Sequence, residues 1–348
     1  MSNFIKACRG EPVDRTPIWV MRQAGRYLPE YQEVRSQTTF LGLCKNPDWA
    51  AEVTLQPLRR YGMDAGIIFS DILVPVEAMG MALRFDEGIG PLLPEPVTNA
   101  ADIERLCVPD PSDTMGFVGE AIKRVCAAVP ETPIIGFAGA PFTLASYMIE
   151  GRGSRVFDKA KKFMFDHPKL WREMSEKLVQ TITAHLLMQV ESGCQAVQIF
   201  DSWAGHLSPV DYLNFAFPYT VQIIDQVKSK TDVPVILFAK GVHACYEELS
   251  TSGADVLGVD WTMPLDRARE LTKNRVSLQG NLDPFTLLGP SDRIEEQAQR
   301  VLEEAKGCRG HIFNLGHGIH KTTPPDHLKV LVDLVRREGR GSLPADPA

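Results

Sequence analysis

Eight short apolar runs, separated by longer amphipathic stretches, leave this chain few folds to choose from. The runs are Ile18–Met21, Ile67–Ser70, Ile134–Ala138, Ala196–Phe200, Val235–Ala239, Val256–Asp260, Ser277–Gly280 and Ile312–Leu315. Each is apolar at successive positions, not alternate ones. That is the pattern of a parallel strand covered on both faces. Helices are expected between them, most clearly at Pro168–Ser192, Pro209–Lys230, Pro264–Lys273, Asp292–Lys306 and Pro324–Arg337. Ser208, Ser291 and Thr323 read as N-caps, two of them followed by proline. Gly62, Gly193 and Gly253 read as helix stops. Strict strand–helix alternation predicts an α/β fold, a single (β/α)8 TIM barrel. An open doubly wound sheet would need a dinucleotide or phosphate loop. No G-x-G-x-x-G follows a strand, and there is no Walker sequence. Met81–Leu93, which contains Gly88 and Gly90, reads as a hairpin insertion after the second strand. Residues 1–340 are expected to form one catalytic domain, and 341–348 a loose C-terminal tail.

Composition narrows the partners. The chain has 348 residues and a formal net charge of −7, with no basic stripe, so nucleic acid is not expected. An anionic small molecule remains open, because a local arginine cluster outweighs a mildly acidic surface at short range. Met1–Pro17 lacks the basic start and apolar stretch of a signal peptide, and no run is long enough to span a bilayer. The seven cysteines (Cys8, Cys44, Cys107, Cys126, Cys194, Cys245, Cys308) include no C-x-x-C pair. A reduced, cytoplasmic setting is therefore expected.

In a barrel, function gathers where the strands end. The first run is followed by Arg22, Gln23, Ala24, Gly25 and Arg26. Arginine forks grip carboxylates in bidentate fashion, so two on one glycine-containing loop suit a polycarboxylate ligand. Arg35, further along, fits a third contact and a surface ion pair equally well. Asp71 ends the second run, where burial should raise the cost of its charge. It reads as a functional carboxylate, with a helix cap or ion pair as the structural alternative. Tyr147 follows the third run as a hydroxyl donor or a packing tyrosine. Ser202 follows the fourth as a carboxylate donor or a cap. Lys240-Gly241 follow the fifth, Trp261 the sixth and Asn281 the seventh. His317 lies between Gly316 and Gly318, which allow close backbone approach, and suits carboxylate binding or proton transfer. Asp201 and Asp260 read as structural.

Pro17-Ile-Trp-Val-Met-Arg-Gln-Ala-Gly-Arg-Tyr-Leu-Pro29 resembles the N-terminal signature of the uroporphyrinogen decarboxylase family. Gly136-Phe-Ala-Gly-Ala-Pro-Phe-Thr-Leu-Ala-Ser-Tyr147 resembles its second signature. Phe69–Leu73, Phe200–His206, Gly280–Pro284 and Asn314–Gly318 match in order, so the resemblance spans about Asn3 to Leu334. It implies a cofactor-free, metal-free carboxy-lyase, usually a homodimer. Such an enzyme converts the four acetate arms of uroporphyrinogen III to methyl groups, giving coproporphyrinogen III in haem biosynthesis. It further implies that Arg22 to Arg26 and Arg35 bind substrate carboxylates. Asp71 would face the pyrrole nitrogens, and Tyr147, Ser202 and His317 would line the site. Catalytic roles would fall to Asp71, Arg22, Arg26 and Tyr147. One departure is His243-Ala244-Cys245. Related barrels that transfer methyl groups use an H-x-C pair there, with a later cysteine, to hold zinc. Here the later loop carries His317. A zinc-dependent methyl-transferring enzyme and a non-catalytic tetrapyrrole carrier are the alternatives.

Overall fold

The computed structural model describes residues 1–86 and 90–339. Among the described residues nine strands appear in chain order: β1 (Gly66–Ile67), β2 (Arg84–Asp86), β3 (Gly90–Leu92), β4 (Ile134–Gly139), β5 (Ala196–Asp201), β6 (Val235–Ala239), β7 (Val256–Gly258), β8 (Ser277–Leu282) and β9 (His311–Leu315). Seven of them form one parallel sheet in the order β1-β4-β5-β6-β7-β8-β9. The sheet is curled, because a single segment, Pro17–Trp19, reaches both of its ends. Phe313 N–H donates to the Pro17 carbonyl (2.8 Å) and Trp19 N–H to the Phe313 carbonyl (3.3 Å). On the other side Asp64 N–H donates to the Ile18 carbonyl (2.9 Å).

This segment corrects the expected first strand. Ile18–Met21 makes only one ladder bridge, Ile18 with Phe313. Side chains take over where a ladder would run. Ile18 N–H donates to Asp64 Oδ2 (2.8 Å) and Met21 N–H to Asn314 Oδ1 (3.0 Å). The other seven expected runs overlap observed strands, although β1 stops at Ile67 and β7 at Gly258. In β1 the ladder ends because Phe69 N–H turns to Thr54 Oγ1 (2.9 Å) on the preceding helix. β2 and β3 pair antiparallel outside the main sheet. Residues 87–89, including Gly88, lie outside the described residues, as does the tail 341–348.

Burial follows the apolar pattern. Every residue of β6, β8 and β9 is buried. Inside the curl, Trp19, Met21, Ile135, Ile236, Phe238 and Ile312 form one core, capped by Phe4 and Ile5 of the helix Asn3–Arg9. A polar thread crosses it: Trp19 Nε1 donates to Gln279 Oε1 (3.0 Å), and Gln279 Nε2 to Gln198 Oε1 (3.2 Å). The larger core lies between the strands and the surrounding helices.

The helices depart from expectation where proline intervenes. Pro209–Lys230 is two helices, Pro209–Phe215 and Phe217–Lys228, parted at Ala216. Pro218 lacks an N–H and crowds the preceding turn, so one continuous helix cannot form. The freed Phe215 carbonyl accepts from Trp171 Nε1 (2.9 Å). Ser208 caps as expected, accepting from Asp211 N–H. Ser291 and Thr323 do not: Pro290 and Pro324 occupy the cap positions, one residue away from each expected cap. Gly62 ends Pro47–Tyr61 in the left-handed conformation, as expected.

Asp64 holds the N-terminal segment in place. Besides Ile18 N–H, it accepts Arg15 Nη1 (2.8 Å) and Nη2 (2.5 Å). Asp64→Ala strands a half-buried guanidinium and a backbone donor. The variant should lose about 2–4 kcal/mol of unfolding free energy in a denaturant titration.

Candidate active site

The strand ends of the sheet carry nearly all of the expected residues, but not in equivalent roles. Arg22 adopts a left-handed backbone, φ 62°, uncommon for a side chain with a Cβ. The turn that contains it is closed by Gln23 N–H donating to the Val20 carbonyl (3.1 Å). Gln23 itself points into the protein and is fully buried. Its carbonyl accepts from Tyr27 Oη (2.8 Å), so it shapes the loop. Gly25 is needed for tightness, since a Cβ there would sit 3.1 Å from the Arg22 carbonyl oxygen. The Arg22 stem lies directly on the loop after β9. A Cβ on Gly318 would come 2.8 Å from Arg22 Cγ.

Asp71 follows β1 by four residues. Oδ1 accepts from Leu73 N–H (2.8 Å), while Leu73 caps the next helix without a side-chain bond. The aspartate therefore forms a local turn and leaves Oδ2 uncommitted among the described residues. Surrounding protein desolvates the carboxylate and pushes its pKa up to about 6, against the pull of Leu73 N–H and the Arg22 charge. Arg22 and Asp71 make no ion pair among the described residues, although each lies in the other's field.

Tyr147 and His317 belong to the same neighbourhood. Burial raises the Tyr147 phenol to about 12, and the Asp71 charge adds to the rise. His317 is pushed down to about 4 by burial, then by Arg22 and Lys240. At neutral pH its imidazole is uncharged and keeps one N–H to donate. Arg22 also acts on the Tyr147 hydroxyl. One arginine, one carboxylate, one phenol and one neutral imidazole thus share a single electrostatic field at the end of the sheet.

Arg26 and Arg35 lie to one side and both act on Tyr31. Arg26 is exposed. Arg35 Nη1 donates to the Thr38 carbonyl and so braces its own turn. The Arg35 and Asp71 charges both reach Cys44, which links this flank to the aspartate. Ser202 is half-buried directly after β5, beside Trp203, and no described contact ties it to Arg22 or Asp71. Trp203, not singled out in the sequence, packs at 6.1 Å from the Tyr147 ring and 5.1 Å from Phe157. Lys240 was visible only as a strand-end residue. Its Nζ stands 5.1 Å from the centroid of Trp261. The signal for both was position immediately after a strand.

The remaining strand-end polar groups tie loops together, as Asp201 and Asp260 were expected to do. Asp201 Oδ1 accepts from Thr143 Oγ1 (2.7 Å), whose oxygen accepts from Trp203 N–H (3.2 Å). Burial raises Asp201 to about 7. Asp260 accepts from Gly241 N–H and Thr262 N–H and bonds His243 Nε2 (2.9 Å). Burial opposes ionisation of Asp260, but these bonds outweigh it and its pKa falls. Asn281 donates to the Asp260 and Met263 carbonyls. His243 is therefore committed to Asp260, and Cys245 Sγ faces the Pro209 carbonyl. Among the described residues, no three His, Cys, Asp or Glu side chains gather as a metal site. A separate cavity of about 330 Å³, lined by Cys8, Arg9, Asp255, Arg275 and Arg309, opens at the opposite end, where the strands begin.

The family profile of uroporphyrinogen decarboxylase matches residues 1–338. The chain belongs to the uroporphyrinogen decarboxylase family. The uroporphyrinogen decarboxylase of Myxococcus xanthus is 51% identical over 337 residues, covering 97% of this chain and 96% of that protein. The one from Desulfotalea psychrophila is 50% identical, with 95% and 97% covered. The one from Chloroherpeton thalassium is 51% identical, with 96% of each covered. Among solved structures, a methyltransferase from Methanosarcina mazei superposes with TM-score 0.77 at 24% identity, covering 97% of this chain and 98% of that one. A putative vitamin-B12 independent methionine synthase from Listeria monocytogenes gives 0.55 at 14%, covering 94% and 98%. At these identities the likeness concerns the fold alone. No helix among the described residues is long and apolar enough to cross a membrane.

Gly318→Ala tests the placement of Arg22 independently of its charge. The added methyl should push the guanidinium aside and cut kcat/KM for the family substrate by about 10²-fold with the melting temperature little changed.

Proposed function

We propose that the chain is a carboxy-lyase that removes the acetate carboxylates of uroporphyrinogen III, giving coproporphyrinogen III. Family membership supplies the substrate class. The observation that carries the reading is Asp71: a desolvated carboxylate with one free oxygen, in the field of Arg22 and close enough to Tyr147 to act on its phenol. A carrier needs cations to hold acidic arms, but it has no use for a half-buried anion that is costly to desolvate.

The chemistry follows from where electrons go. Protonation of a pyrrole ring carbon next to an acetate arm makes a cationic ring. The bond between the methylene and the carboxylate then breaks, its electron pair flows into the ring, and carbon dioxide leaves. An exocyclic methylene remains. A proton added to that carbon gives the methyl group, and loss of the ring proton restores the pyrrole. Each arm consumes one proton net and needs no external electron acceptor. In this scheme Asp71 accepts from the pyrrole N–H groups and stabilises the cationic ring. Arg22 and Arg26 hold substrate carboxylates and contribute positive field, joined by Arg35. Arginine stays protonated, so its service as the acid requires a relay. Tyr147, Ser202 and His317 donate at the rim, and Gln23, Ala24 and Gly25 shape the loop. The closed eight-stranded (β/α)8 reading, with Pro17–Trp19 in the eighth place and β2–β3 as an inserted hairpin, belongs to the same proposal. So do a single domain over 1–340, a homodimer and a cytoplasmic setting, the last favoured by seven free cysteines.

Anaerobic incubation with uroporphyrinogen, followed by oxidation and chromatography, tests the activity: porphyrins with seven to four carboxylates should appear in succession. Unchanged substrate bound to the protein would mean a carrier. Asp71→Asn should keep binding and lose turnover by at least about 10²-fold. In the wild type kcat/KM should fall as pH drops below about 6.

The stability of the same variant has a definite sign. The folded pKa of Asp71 is raised, so its contribution is fully present below the ordinary carboxylate range and lost as pH rises through about 6. Asp71→Asn should therefore melt higher than the wild type at pH 7.5, and the gap should shrink as pH is lowered through 6.

A further inference from the structure

Lys240 directly follows β6, the central strand of the sheet order, so it lies far round the curl from the segment bearing Arg22. Its backbone is fixed from two sides. Lys240 N–H donates to the Asp201 carbonyl (3.2 Å), and its own carbonyl accepts from Gly205 N–H (2.9 Å). Glycines make this approach possible. A Cβ on Gly205 would stand 2.8 Å from the Lys240 carbonyl oxygen. Gly241 takes φ 76° and is held by Asp260 Oδ2 (2.8 Å). The side chain then lies over Trp261, whose indole faces the His317 ring at 6.4 Å.

The ammonium finds no acidic counterpart. Among the described residues Lys240 makes no ion pair. The nearby carboxylate, Asp260, is already engaged by Gly241, His243 and Thr262. A half-buried cation left unpaired is costly unless a ligand brings the anion. The Lys240 field reaches His317 and helps to keep it neutral, so the imidazole contributes a donor without a second charge.

We propose that Lys240 forms a second carboxylate-binding pole, which grips acidic arms of the macrocycle across the site from Arg22 and Arg26, with His317 as the neutral donor between the two poles. The proposal rests on the reading of the chain as a decarboxylase of a polycarboxylate macrocycle. Chemistry at one place requires each acetate arm to come round in turn, so the arm opposite changes at every step. A compact ammonium on a flexible stem accepts a carboxylate at varied angles, whereas a planar guanidinium fork demands one geometry.

The test uses the full chain under anaerobic conditions, with uroporphyrinogen as substrate and Lys240→Met and Lys240→Arg as variants. Loss of one charge-assisted contact should raise KM in Lys240→Met by about 10-fold to 10²-fold, with a smaller fall in kcat. Lys240→Arg, which restores the charge but not the tolerance of angle, should recover part of the KM. The wild-type KM should climb more steeply with added potassium chloride than that of Lys240→Met, because one screened attraction is missing in the variant. An unchanged KM and salt slope in a folded Lys240→Met protein would overturn the proposal. So would a loss of kcat alone that arginine does not repair, which marks a structural lysine. If Lys240→Met fails to fold, Lys240→Gln is read by the same KM and salt criteria. Wild-type protein that never decarboxylates uroporphyrinogen would instead overturn the functional reading itself.

Discussion

Arg22 and Asp71 feel one another's charge without closing an ion pair among the described residues. The Asp71 carboxylate is desolvated while Arg22 is exposed, so solvent screens the attraction between them. Both residues are also tied down locally. Arg22 is fixed in a left-handed turn, and its stem is pinned on Gly318. Asp71 is tied down by Leu73 N–H. Each side chain therefore keeps valence for a ligand. The uncommon backbone at Arg22 and the desolvation at Asp71 are both carried by the scaffold.

That scaffold depends on buried polar groups as much as on apolar packing. Asp64 takes the place of a strand partner for Ile18, and Asn314 does so for Met21, so the loop with Arg22 is aimed by side chains on neighbouring elements. Asp260 gathers the loops after β6 and β7. Asp201 and Thr143 anchor the turn that carries Trp203. Fully bonded buried groups of this kind favour one arrangement of loops over its neighbours. The strand-end polar residues thus divide into those that open to the mouth and those that hold it in shape.

Charge follows the same division. The chain as a whole is acidic, with a formal net charge of −7. Around the mouth, Arg22, Arg26 and Lys240 make no ion pair among the described residues. Cations that are not spent on internal partners focus an attractive field for an anionic ligand where it is needed. His317 is held neutral by burial first and then by Arg22 and Lys240, which avoids a further like charge.

The sequence alone determined where the strands lie, because a buried parallel strand must be apolar at successive positions and that pattern is local. It also determined that arginines follow the first run and that Asp71 ends the second. Helix boundaries were readable wherever proline and capping chemistry acted within one turn, as at Ser208. They failed where the competition was finer, at Pro218, Pro290 and Pro324. Tertiary structure decided the rest. Ile18–Met21 has the composition of a strand, yet its donors go to Asp64 and Asn314, 46 and 293 residues away. Which strand-end polar groups stay half-exposed, as Lys240 does, and which are buried, as Gln23 is, depends on loops that meet only when the sheet curls. No local pattern encodes that, since the partners are brought together by closure of the fold and not by proximity along the chain.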